Sequence, residues 1–471
     1  MWARGLLMQV ATERYDAIII GAGQSGGPLS TAFAGAGRKT AIVEEDQVGG
    51  ACINVACTPT KTMVASARVA YLARRAPDYG VHLGDVRVEM SEVRRRKQRV
   101  VESFRASTER RITSANGVDL LRAHARFTGP HELALEMRDG PVRHVSADII
   151  VINTGTQPAF PPIEGLGRVS TLDSTSIMEL DALPEHLIVI GGGYVGLEFG
   201  QMFRRFGSAV TILEPGKQVL GREDPDIAEE VVKILREDGI EVLLEARAER
   251  AERAASGVRL TLKFGNNQRP LDGSHVLVAT GRKPATGGLD LAAAGVAITE
   301  RGFVQVDDRL ETNVPGVYAT GDVNGEPAFT HISYDDFRIL RANLIQGGNA
   351  STKDRVVPYV VYIDPQLGRV GISETEARNA GRRVRVAKMP MNHVARADET
   401  SETRGVMKAI VDGETDQILG CAFLGIEGGE LMSMIEIAML GHVPYTVLRD
   451  GIFAHPTLAE SMNNLFSSLE G

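Results

Sequence analysis

The fold is decided by residues 15–26, which read YDAIIIGAGQSG. The apolar run predicts a buried strand, and the glycines that follow predict a tight turn into a helix. These glycines are Gly21, Gly23 and Gly26. A second apolar run over residues 40–43 ends at Glu44. Glycines at this spacing let the backbone approach a pyrophosphate, and the acid accepts hydrogen bonds from a ribose, so the stretch predicts a dinucleotide-binding unit.

The same pattern occurs a second time. A strand-like run over residues 187–190 leads into GGGYVG over 191–196, and the next strand-like run ends at Glu214. Its glycines are Gly191, Gly193 and Gly196. A carboxylate at position 214 would repel a ribose 2′-phosphate, so we expect NADH to be preferred over NADPH. Two units in one chain predict two cofactors, most simply a tightly held FAD and an exchangeable nicotinamide nucleotide.

Three further strand-to-turn segments predict where the domains join. Each ends in a Thr-Gly pair, and the predicted nucleotide contacts here are Thr154, Gly155, Gly281 and Asp322. The last is a carboxylate at a strand end, where it could hold the sugar-like chain of a flavin. The order predicts an α/β fold in which one Rossmann-like domain is inserted in another. The predicted bounds are 1–155 and 285–350 for the FAD-binding domain, 156–284 for the nicotinamide-nucleotide domain, and 351–471 for a C-terminal α+β domain.

Two of the chain's three cysteines lie close together in the stretch GGACINVACTPTK over residues 49–61. If the segment after Gly50 forms one helix, Cys52 and Cys57 lie a little over one turn apart, near enough to be bridged. A helix N-terminus would also stabilise a thiolate. The pair is interpreted as a redox centre, with two buried small residues or half of a metal clip as alternatives. We expect no metal, because no second ligand pair has zinc spacing, and we expect Cys421 in a core.

The bulk properties exclude several classes. The 471 residues carry a formal charge of −8, from 52 basic and 60 acidic side chains, which argues against a nucleic-acid surface. The basic run RRRK over residues 94–97 is interpreted as a solvated helix face. No apolar run reaches the ~20 residues of a membrane span. Residues Met1 to Glu13 are interpreted as an unstructured extension rather than a signal peptide, and the few cysteines fit a reducing compartment, so a cytoplasmic location is expected.

A histidine motif lies near the C-terminus, where residues 453–460 read FAHPTLAE. Imidazole titrates near pH 6.5, which suits proton transfer to and from a thiol, and a carboxylate such as Glu460 can orient His455. The alternative is an ordinary helix start, with Pro456 in its first turn.

From about residue 14 the chain resembles the pyridine nucleotide–disulfide oxidoreductases, a family that includes glutathione reductase and dihydrolipoamide dehydrogenase. The resemblance rests on the two fingerprints and the Cys-x4-Cys-x-Pro-Thr-Lys segment between them. It implies a redox-active disulfide in which Cys52 meets the substrate and Cys57 contacts the flavin. It further implies a flavin-side lysine at Lys61 paired with Glu198, an aromatic gate at Tyr194, a flavin contact at Asp322 and a cofactor contact at Gly50.

The resemblance also implies a homodimer. In this family the His-Pro-Thr-x-x-Glu motif serves the disulfide of the other subunit, so His455 and Glu460 are expected to act across the interface and a monomer is expected to be inactive. The C-terminal domain would supply that interface.

The sequence differs at two places from well-known members of this family, and both differences bear on the substrate. Phe453 stands where dihydrolipoamide dehydrogenases and glutathione reductases usually have a second histidine, and the tail over residues 466–471 lacks the cysteine pair typical of mercuric reductases. Residues 329–338, 403–411 and 460–466 resemble the mercuric-reductase-like branch that contains bacterial reductases of hypothiocyanous acid and related oxidants. The prediction is a reductase of a small oxidant, disulfide or metal ion; dihydrolipoamide dehydrogenase and a flavoprotein redox sensor or electron carrier are the alternatives.

Overall fold

The computed structural model describes residues 12–469. The chain forms two compact units. The first comprises the described residues up to Pro59 together with Lys97–Pro158 and Arg282–Arg355, and the second comprises Thr60–Arg96, Ala159–Gly281 and the described chain from Val356 onward. Most of the predicted N-terminal extension, residues 1–11, lies outside the described residues. Glu13 does not belong to an extension, because it pairs with Val145 at the start of the first strand.

The described residues contain the following strands, in chain order: β1 Glu13–Ile20, β2 Thr40–Glu44, β3 Val118–Gly129, β4 Glu132–Met137, β5 Arg143–Ile152, β6 Thr156–Pro158, β7 Thr171–Leu172, β8 His186–Ile190, β9 Ala209–Leu213, β10 Glu241–Leu243, β11 Arg247–Ala254, β12 Gly257–Phe264, β13 Asn267–Gly273, β14 His275–Val278, β15 Arg282–Pro284, β16 Val317–Ala319, β17 Tyr359–Val361, β18 Gln366–Gly371, β19 Val384–Pro390, β20 Val406–Asp412 and β21 Ile418–Gly425.

The α-helices are, in the same order: α1 Gly26–Gly35, α2 Gly50–Asn54, α3 Cys57–Arg75, α4 Met90–Thr113, α5 Tyr194–Phe206, α6 Pro225–Glu237, α7 Leu291–Ala294, α8 Thr330–Ile345, α9 Glu374–Asn379, α10 Ala395–Glu399, α11 Gly428–Leu440, α12 Tyr445–Asp450 and α13 Ser461–Ser467. Short 3-10 turns cover Ala76–Tyr79, Leu166–Arg168, Ser176–Glu179, Gly321–Asn324 and Met391–His393. Within residues 12–469, no helix combines the length and the apolar character needed to cross a membrane.

The sheet of the first unit is mainly parallel at its centre. β1 pairs in parallel with β2 on one side and β5 on the other, and β16 pairs in parallel with β5. The long strands β3 and β5 continue beyond this region and pair antiparallel with β4. Ile18 and Ile19 of β1 are fully buried, as expected for a parallel strand covered on both faces. The predicted apolar strand before the first glycine turn is therefore confirmed.

The second unit contains another parallel sheet, with the strand order β10-β9-β8-β14-β7. An antiparallel sheet formed by β11, β12 and β13 follows in the same unit. The strands of this parallel sheet lie in sequence between β5 and β16. One nucleotide-binding domain is thus inserted in the other, as the sequence predicts, while the domain bounds at residues 155, 284 and 350 stay predictions.

The C-terminal segment forms an antiparallel sheet with the order β17-β18-β21-β20-β19. Leu431, Met432 and Ile435 of α11 belong to the same apolar cluster as Val370 of β18 and Phe423 of β21, which is the predicted α+β arrangement. Cys421 is completely buried in this cluster, as predicted, and burial raises the pKa of its thiol.

The basic run at residues 94–97 lies in α4, as predicted, but it is not wholly solvated. Arg95 and Arg96 are exposed, whereas Lys97 is 2 % exposed. A helix turns by about 100° per residue, so four consecutive side chains cannot all face solvent on a helix with one packed face.

Candidate active site

The turn after β1 can be built only from glycine at two positions. Gly21 has a φ of 103°, and a Cβ there would lie 2.3 Å from the carbonyl oxygen of Asn153. A Cβ on Gly26 would lie 2.2 Å from the carbonyl oxygen of Gly21. The close approach leaves the first turn of α1 uncovered by side chains of the turn itself, which is the geometry that a bound phosphate requires.

The acid at the end of β2 is held by this turn. The Glu44 carboxylate accepts hydrogen bonds from the backbone N–H of Ala22 and of Asp46, both at 2.9 Å. Burial raises the pKa of this carboxyl above its ordinary value. Each carboxylate oxygen can accept a further hydrogen bond, so the predicted contact to a ribose hydroxyl is compatible with these bonds.

Two buried hydroxyls of the first unit have no hydrogen-bond partner among the described residues. They are the side chains of Ser25, inside the glycine turn, and Thr154, just after β5. An unpaired buried hydroxyl is costly unless a ligand completes it, so both fit a cofactor with phosphate or ring acceptors. Ser25 is a residue that the sequence analysis missed. The serine in GAGQSG marked it, because a hydroxyl at a helix N-terminus suits an anion.

Asp322 lies in a hydrogen-bonded turn at the end of β16. Its carboxylate accepts a hydrogen bond of 3.0 Å from the Thr156 hydroxyl, which itself accepts one of 2.7 Å from Arg282 Nε. The preceding backbone N–H, that of Gly321, donates to the buried carboxylate of Asp336 at 2.7 Å. The turn is therefore held by the hydrogen bonds to Thr156 and Asp336, and the Asp322 side chain is half-buried.

The two cysteines lie on different helices, which corrects the prediction of one continuous helix. Cys52 belongs to α2, which ends at Asn54, and Cys57 is the first residue of α3. The helical conformation is interrupted between them at Val55, whose φ of −141° is not helical. Both cysteines are half-buried. The break places Cys57 at the N-terminus of a 19-residue helix, where the helix dipole favours a thiolate.

The segment before Cys52 is packed closely against the first glycine turn. Gly50 has a φ of 62°, and a Cβ there would lie 2.9 Å from Cα of Gly23. The Asn54 amide donates to the carbonyl oxygens of Val48 and Gly50 at 3.0 and 2.9 Å. The cysteine segment is thus positioned by the nucleotide turn of its own unit.

The second unit repeats the turn geometry. Gly191 has a φ of 117°, and a Cβ on Gly196 would lie 2.0 Å from the carbonyl oxygen of Gly191. A Cβ on Gly193 meets no atom within 4 Å, so open space lies beside it. The Glu214 carboxylate accepts hydrogen bonds from the backbone N–H of Gly192 at 2.9 Å and of Gly216 at 2.7 Å.

The remaining predicted nucleotide contacts lie at open turns. Tyr194 begins α5 with 36 % of its surface exposed. Gly155 and Gly281 have φ angles of 69° and 117°, and a Cβ on either would meet no atom within 4 Å. Both glycines therefore combine a conformation that side chains rarely adopt with room for a neighbouring group.

The predicted lysine–glutamate pair is formed within the second unit. Lys61 Nζ lies 2.7 Å from Glu198 Oε2, and the Glu198 side chain is 2 % exposed. The backbone N–H of Tyr362 donates to the other carboxylate oxygen at 2.9 Å, and Lys61 Nζ lies 4.8 Å from the centre of the Tyr362 ring. A buried carboxylate with two such donors holds the ammonium in one place.

The histidine motif also comes together as predicted. His455 Nδ1 lies 2.8 Å from Glu460 Oε2, and the His455 side chain is 66 % exposed. α13 begins only at Ser461, so the reading of His455-Pro456 as a helix start is wrong. The carboxylate thus lies where it can orient the ring.

Two models of one protein family match this chain. Residues 15–336 match the model of the pyridine nucleotide-disulphide oxidoreductases, and residues 357–466 match the dimerisation domain of that family. The chain belongs to the pyridine nucleotide-disulphide oxidoreductase family.

Similar members of this oxidoreductase family span nearly the whole chain. A probable pyridine nucleotide-disulfide oxidoreductase of Escherichia coli, RclA, is 39 % identical over 97 % of this chain and 99 % of its own length. A dihydrolipoyl dehydrogenase of Thermus scotoductus is 34 % identical over 96 % of each chain. A solved structure described as an HOCl-induced flavoprotein disulfide reductase, RclA of Escherichia coli, has a TM-score of 0.87 at 38 % identity and covers 96 % of this chain and 99 % of that one.

These findings confirm the predicted fold class and enzyme class. The protein is an oxidoreductase of the flavoprotein disulfide reductase type, and family membership implies FAD and a pyridine nucleotide as cofactors. The alternative of a redox sensor or electron carrier is not favoured, because the relatives named above are enzymes.

Proposed function

We propose that this oxidoreductase uses NADH to reduce a small oxidant through FAD and a Cys52–Cys57 disulfide. The observation that carries the proposal is the position of Cys57 at the start of α3, directly after a cysteine segment packed on the first glycine turn. That arrangement supplies a stabilised thiolate beside a nucleotide-binding turn. When bound, the flavin accepts a hydride from the nicotinamide and delivers an electron pair to the disulfide.

FAD would be held by the first unit. The first glycine turn would receive the pyrophosphate, with the Ser25 hydroxyl completing it, and Glu44 would accept hydrogen bonds from the adenosine ribose. Gly50, Thr154, Gly155 and Asp322 would contact the remainder of the cofactor. The two unpaired buried hydroxyls support this assignment, because a ligand of this kind would satisfy them.

NADH would be held by the second unit. The open space beside Gly193 leaves room for a pyrophosphate, and Tyr194 would act as the gate over the nicotinamide. Glu214 would bind the ribose hydroxyls and repel a 2′-phosphate, which is the basis for preferring NADH over NADPH. Two backbone N–H groups hold this carboxylate in one position, which supports the proposal. Gly281 would contact the bound nicotinamide nucleotide.

Lys61, supported by Glu198, would stabilise negative charge that develops on the flavin side of the disulfide. A lysine on a buried carboxylate keeps its charge and its direction. Its proposed role is electrostatic, and the 2.7 Å ion pair with Glu198 would hold the side chain in place.

The proton donor would come from a second copy of the chain. His455 is well exposed although Glu460 orients it, and the match to the dimerisation domain covers both residues. Exposed apolar side chains occur in the same segment, at Ile437, Leu440 and Ile452. A homodimer would cover these side chains and bring each His455 to the other subunit's Cys52. The assembly would work in the cytoplasm, where thiols are kept reduced.

The reduction of an oxidant X–OH can then be written with all atoms balanced. The Cys52 sulfur attacks X, so that an S–X bond forms and the X–O bond breaks, and His455 protonates the departing hydroxide to water. The Cys57 sulfur next attacks the Cys52 sulfur, so that the S–S bond forms and X leaves as an anion. The net reaction is NADH + X–OH → NAD⁺ + X⁻ + H₂O.

The acceptor class follows from two observations. RclA, which is similar along the whole chain, is described as HOCl-induced and in a second structure as a Cu(II) complex. Phe453, in place of a second histidine, packs against the apolar cluster of the C-terminal sheet, so it offers no group for proton transfer. The description as HOCl-induced favours a small oxidant of the X–OH type, and the absence of a second imidazole at position 453 argues against lipoamide.

The test is anaerobic NADH oxidation by the FAD-loaded protein with one acceptor at a time: hypochlorous acid, hypothiocyanous acid, Cu(II), Hg(II) or oxidised lipoamide. Direct chemical oxidation of NADH is subtracted. We expect saturable turnover with an X–OH acceptor, abolished by Cys52→Ser and retained by Cys421→Ala, which replaces a buried core cysteine. Faster turnover with lipoamide would refute the acceptor class, and turnover by Cys52→Ser would refute the disulfide mechanism.

A further inference from the structure

A threonine far away in sequence contacts the flavin-side cysteine. Thr330 Oγ1 lies 3.3 Å from Cys57 Sγ, although 273 positions separate the two residues. Both belong to the first unit. Each is also the first residue of a long helix: Cys57 begins the 19-residue α3 and Thr330 begins the 16-residue α8. Two helix N-termini therefore meet at one sulfur.

The packing of α8 holds Thr330 in place. Asp336, one and a half turns further along the helix, is fully buried and accepts hydrogen bonds of 2.7 Å from the Gly321 N–H and from Arg355. At the far end of α8, Arg38 donates to the carbonyl oxygen of Leu344 at 2.7 Å. The side chain of threonine is itself restricted, because its Cβ is branched. The hydroxyl is thus presented to the sulfur by fixed elements.

The contact distinguishes the two states of the sulfur. A thiolate can only accept a hydrogen bond, whereas a hydroxyl can donate one, and a bond to a charged acceptor is about twice as strong as a neutral one. A neutral thiol sulfur is only a weak acceptor, and its S–H is only a weak donor to the threonine oxygen. The hydroxyl therefore stabilises the charged sulfur more than the neutral one.

We propose that Thr330 is a positioning residue that donates a hydrogen bond to the Cys57 thiolate and so favours that form after the disulfide is reduced. The inference rests on the proposed function, in which Cys57 is the thiol beside the flavin. The titratable groups nearest in sequence on the three helices concerned are Cys52 on α2, Lys61 on α3 and His331 on α8. A substitution at Thr330 leaves all three unchanged.

The test uses the FAD-loaded protein carrying Cys52→Ser, in which Cys57 cannot form the disulfide. A thiolate beside oxidised flavin gives a long-wavelength charge-transfer band, so the pH at which half of the band is lost reports the charged sulfur directly. Thr330→Val removes the hydroxyl and keeps the branched shape, and Thr330→Ser keeps the hydroxyl. Bound flavin and thermal melting are measured for each variant to show that the fold is intact.

We expect Thr330→Val to raise the midpoint of the band by about one pH unit, which is the size expected for one charge-assisted hydrogen bond, and Thr330→Ser to leave it nearly unchanged. An unshifted midpoint in Thr330→Val would overturn the inference. Equal shifts in both variants would also overturn it, because the hydroxyl would not be the cause. Absence of the band in the Cys52→Ser parent at every pH would instead contradict the proposed function itself.

Discussion

The two nucleotide turns share one backbone design. In each, a glutamate at the end of the next strand accepts two backbone hydrogen bonds. One comes from the residue after the first glycine of the turn, and the other comes from the residue two positions after the glutamate. The acids are Glu44 and Glu214. In each turn a later glycine lies directly against the carbonyl oxygen of the first one: Gly26 against Gly21, and Gly196 against Gly191. The glycine pattern therefore determines the same geometry twice.

The turns differ in how the surrounding residues brace them. Beside the first turn, the Asn153 amide donates to the carbonyl oxygen of Gly21 at 3.2 Å, and a Cβ on Gly23 would lie 3.0 Å from that nitrogen. The second turn has Ala279 beside Gly191, which carries no such amide, and the space beside Gly193 is open.

The threonine hydroxyls that follow β5 and β14 also differ, because the Thr154 hydroxyl is buried and Thr280 is exposed. Thr154 of the first unit has an unpaired hydroxyl, whereas its counterpart Thr280 donates to the carbonyl oxygen of Ala159 at 3.1 Å. The first turn is thus braced and lies beside two buried hydroxyls that have no hydrogen-bond partner among the described residues, while the space beside the second turn is open. The contrast supports the proposal that the first turn holds a resident cofactor and the second an exchangeable one.

The largest expected effect comes from adding one methyl group to the open turn. Gly193→Ala should raise the KM for NADH by about a hundredfold, because the new Cβ occupies the approach of the pyrophosphate. Bound FAD should stay complete, and the free energy of unfolding should change by only about 1 kcal/mol, since the Cβ meets no protein atom. Steady-state kinetics and thermal melting check both parts.

The matched change in the braced turn is Gly23→Ala. Its Cβ would press on the Asn153 amide, so FAD retention and thermal stability should both fall while the KM for NADH is kept. If the two substitutions had the same effects, the distinction between the turns would be wrong.

A somewhat smaller effect is expected from Ser25→Ala. Loss of a hydrogen bond to a charged phosphate should weaken FAD binding by about tenfold. The apoprotein should become more stable by about 1 kcal/mol, because a buried hydroxyl without a partner is removed. Calorimetry with and without FAD measures the two changes, and destabilisation of the apoprotein would show that the hydroxyl has a protein partner.

A smaller effect still is expected for the choice of nucleotide. Glu214→Gln should reduce the preference for NADH over NADPH by about fivefold, because the charge that repels the 2′-phosphate is gone. The ratio of the two kcat/KM values measures this preference and does not depend on the fraction of active protein. Glu44→Gln is the matched control, which should lower FAD content and leave the ratio unchanged. An unaltered ratio in Glu214→Gln would remove the basis for the NADH assignment.

The smallest expected effect is a change of stability with pH that comes from Glu44 at the first turn. Because burial raises the pKa of Glu44, its contribution to stability is fully present below the ordinary carboxyl pKa and is lost as the pH rises through the raised value. The apoprotein should therefore lose stability over this range relative to Glu44→Gln. Chemical denaturation of both proteins at several pH values tests the sign, and a rise in relative stability with pH would contradict it.

The sequence predicts the nucleotide turns well because their requirements are local. A continuous apolar strand, a glycine where φ is positive and an acid after the next strand all leave a direct mark on neighbouring residues, as at Ile18, Gly21 and Glu44. The lysine–glutamate pair is implied only by the family resemblance, whereas the histidine–glutamate pair also leaves a local mark, because Glu460 follows His455 by five positions.

Other features depend on contacts that spacing does not reveal. The break at Val55 follows from packing of the cysteine segment, and the burial of Lys97 depends on what covers α4. The contact of Thr330 with Cys57 joins the ends of two helices that are 273 residues apart. Such features are decided by tertiary structure, so the sequence pattern alone did not predict them.

The central claim is tested most directly by anaerobic titration of the desalted protein with NADH. We predict that FAD is retained on gel filtration without bound nicotinamide nucleotide, and that NADH produces both a long-wavelength band and two new titratable thiols. The band should be absent from Cys57→Ser, which should still bind FAD. Flavin reduction without new thiols, or a band that survives in Cys57→Ser, would contradict the assignment of Cys52 and Cys57 as the redox centre.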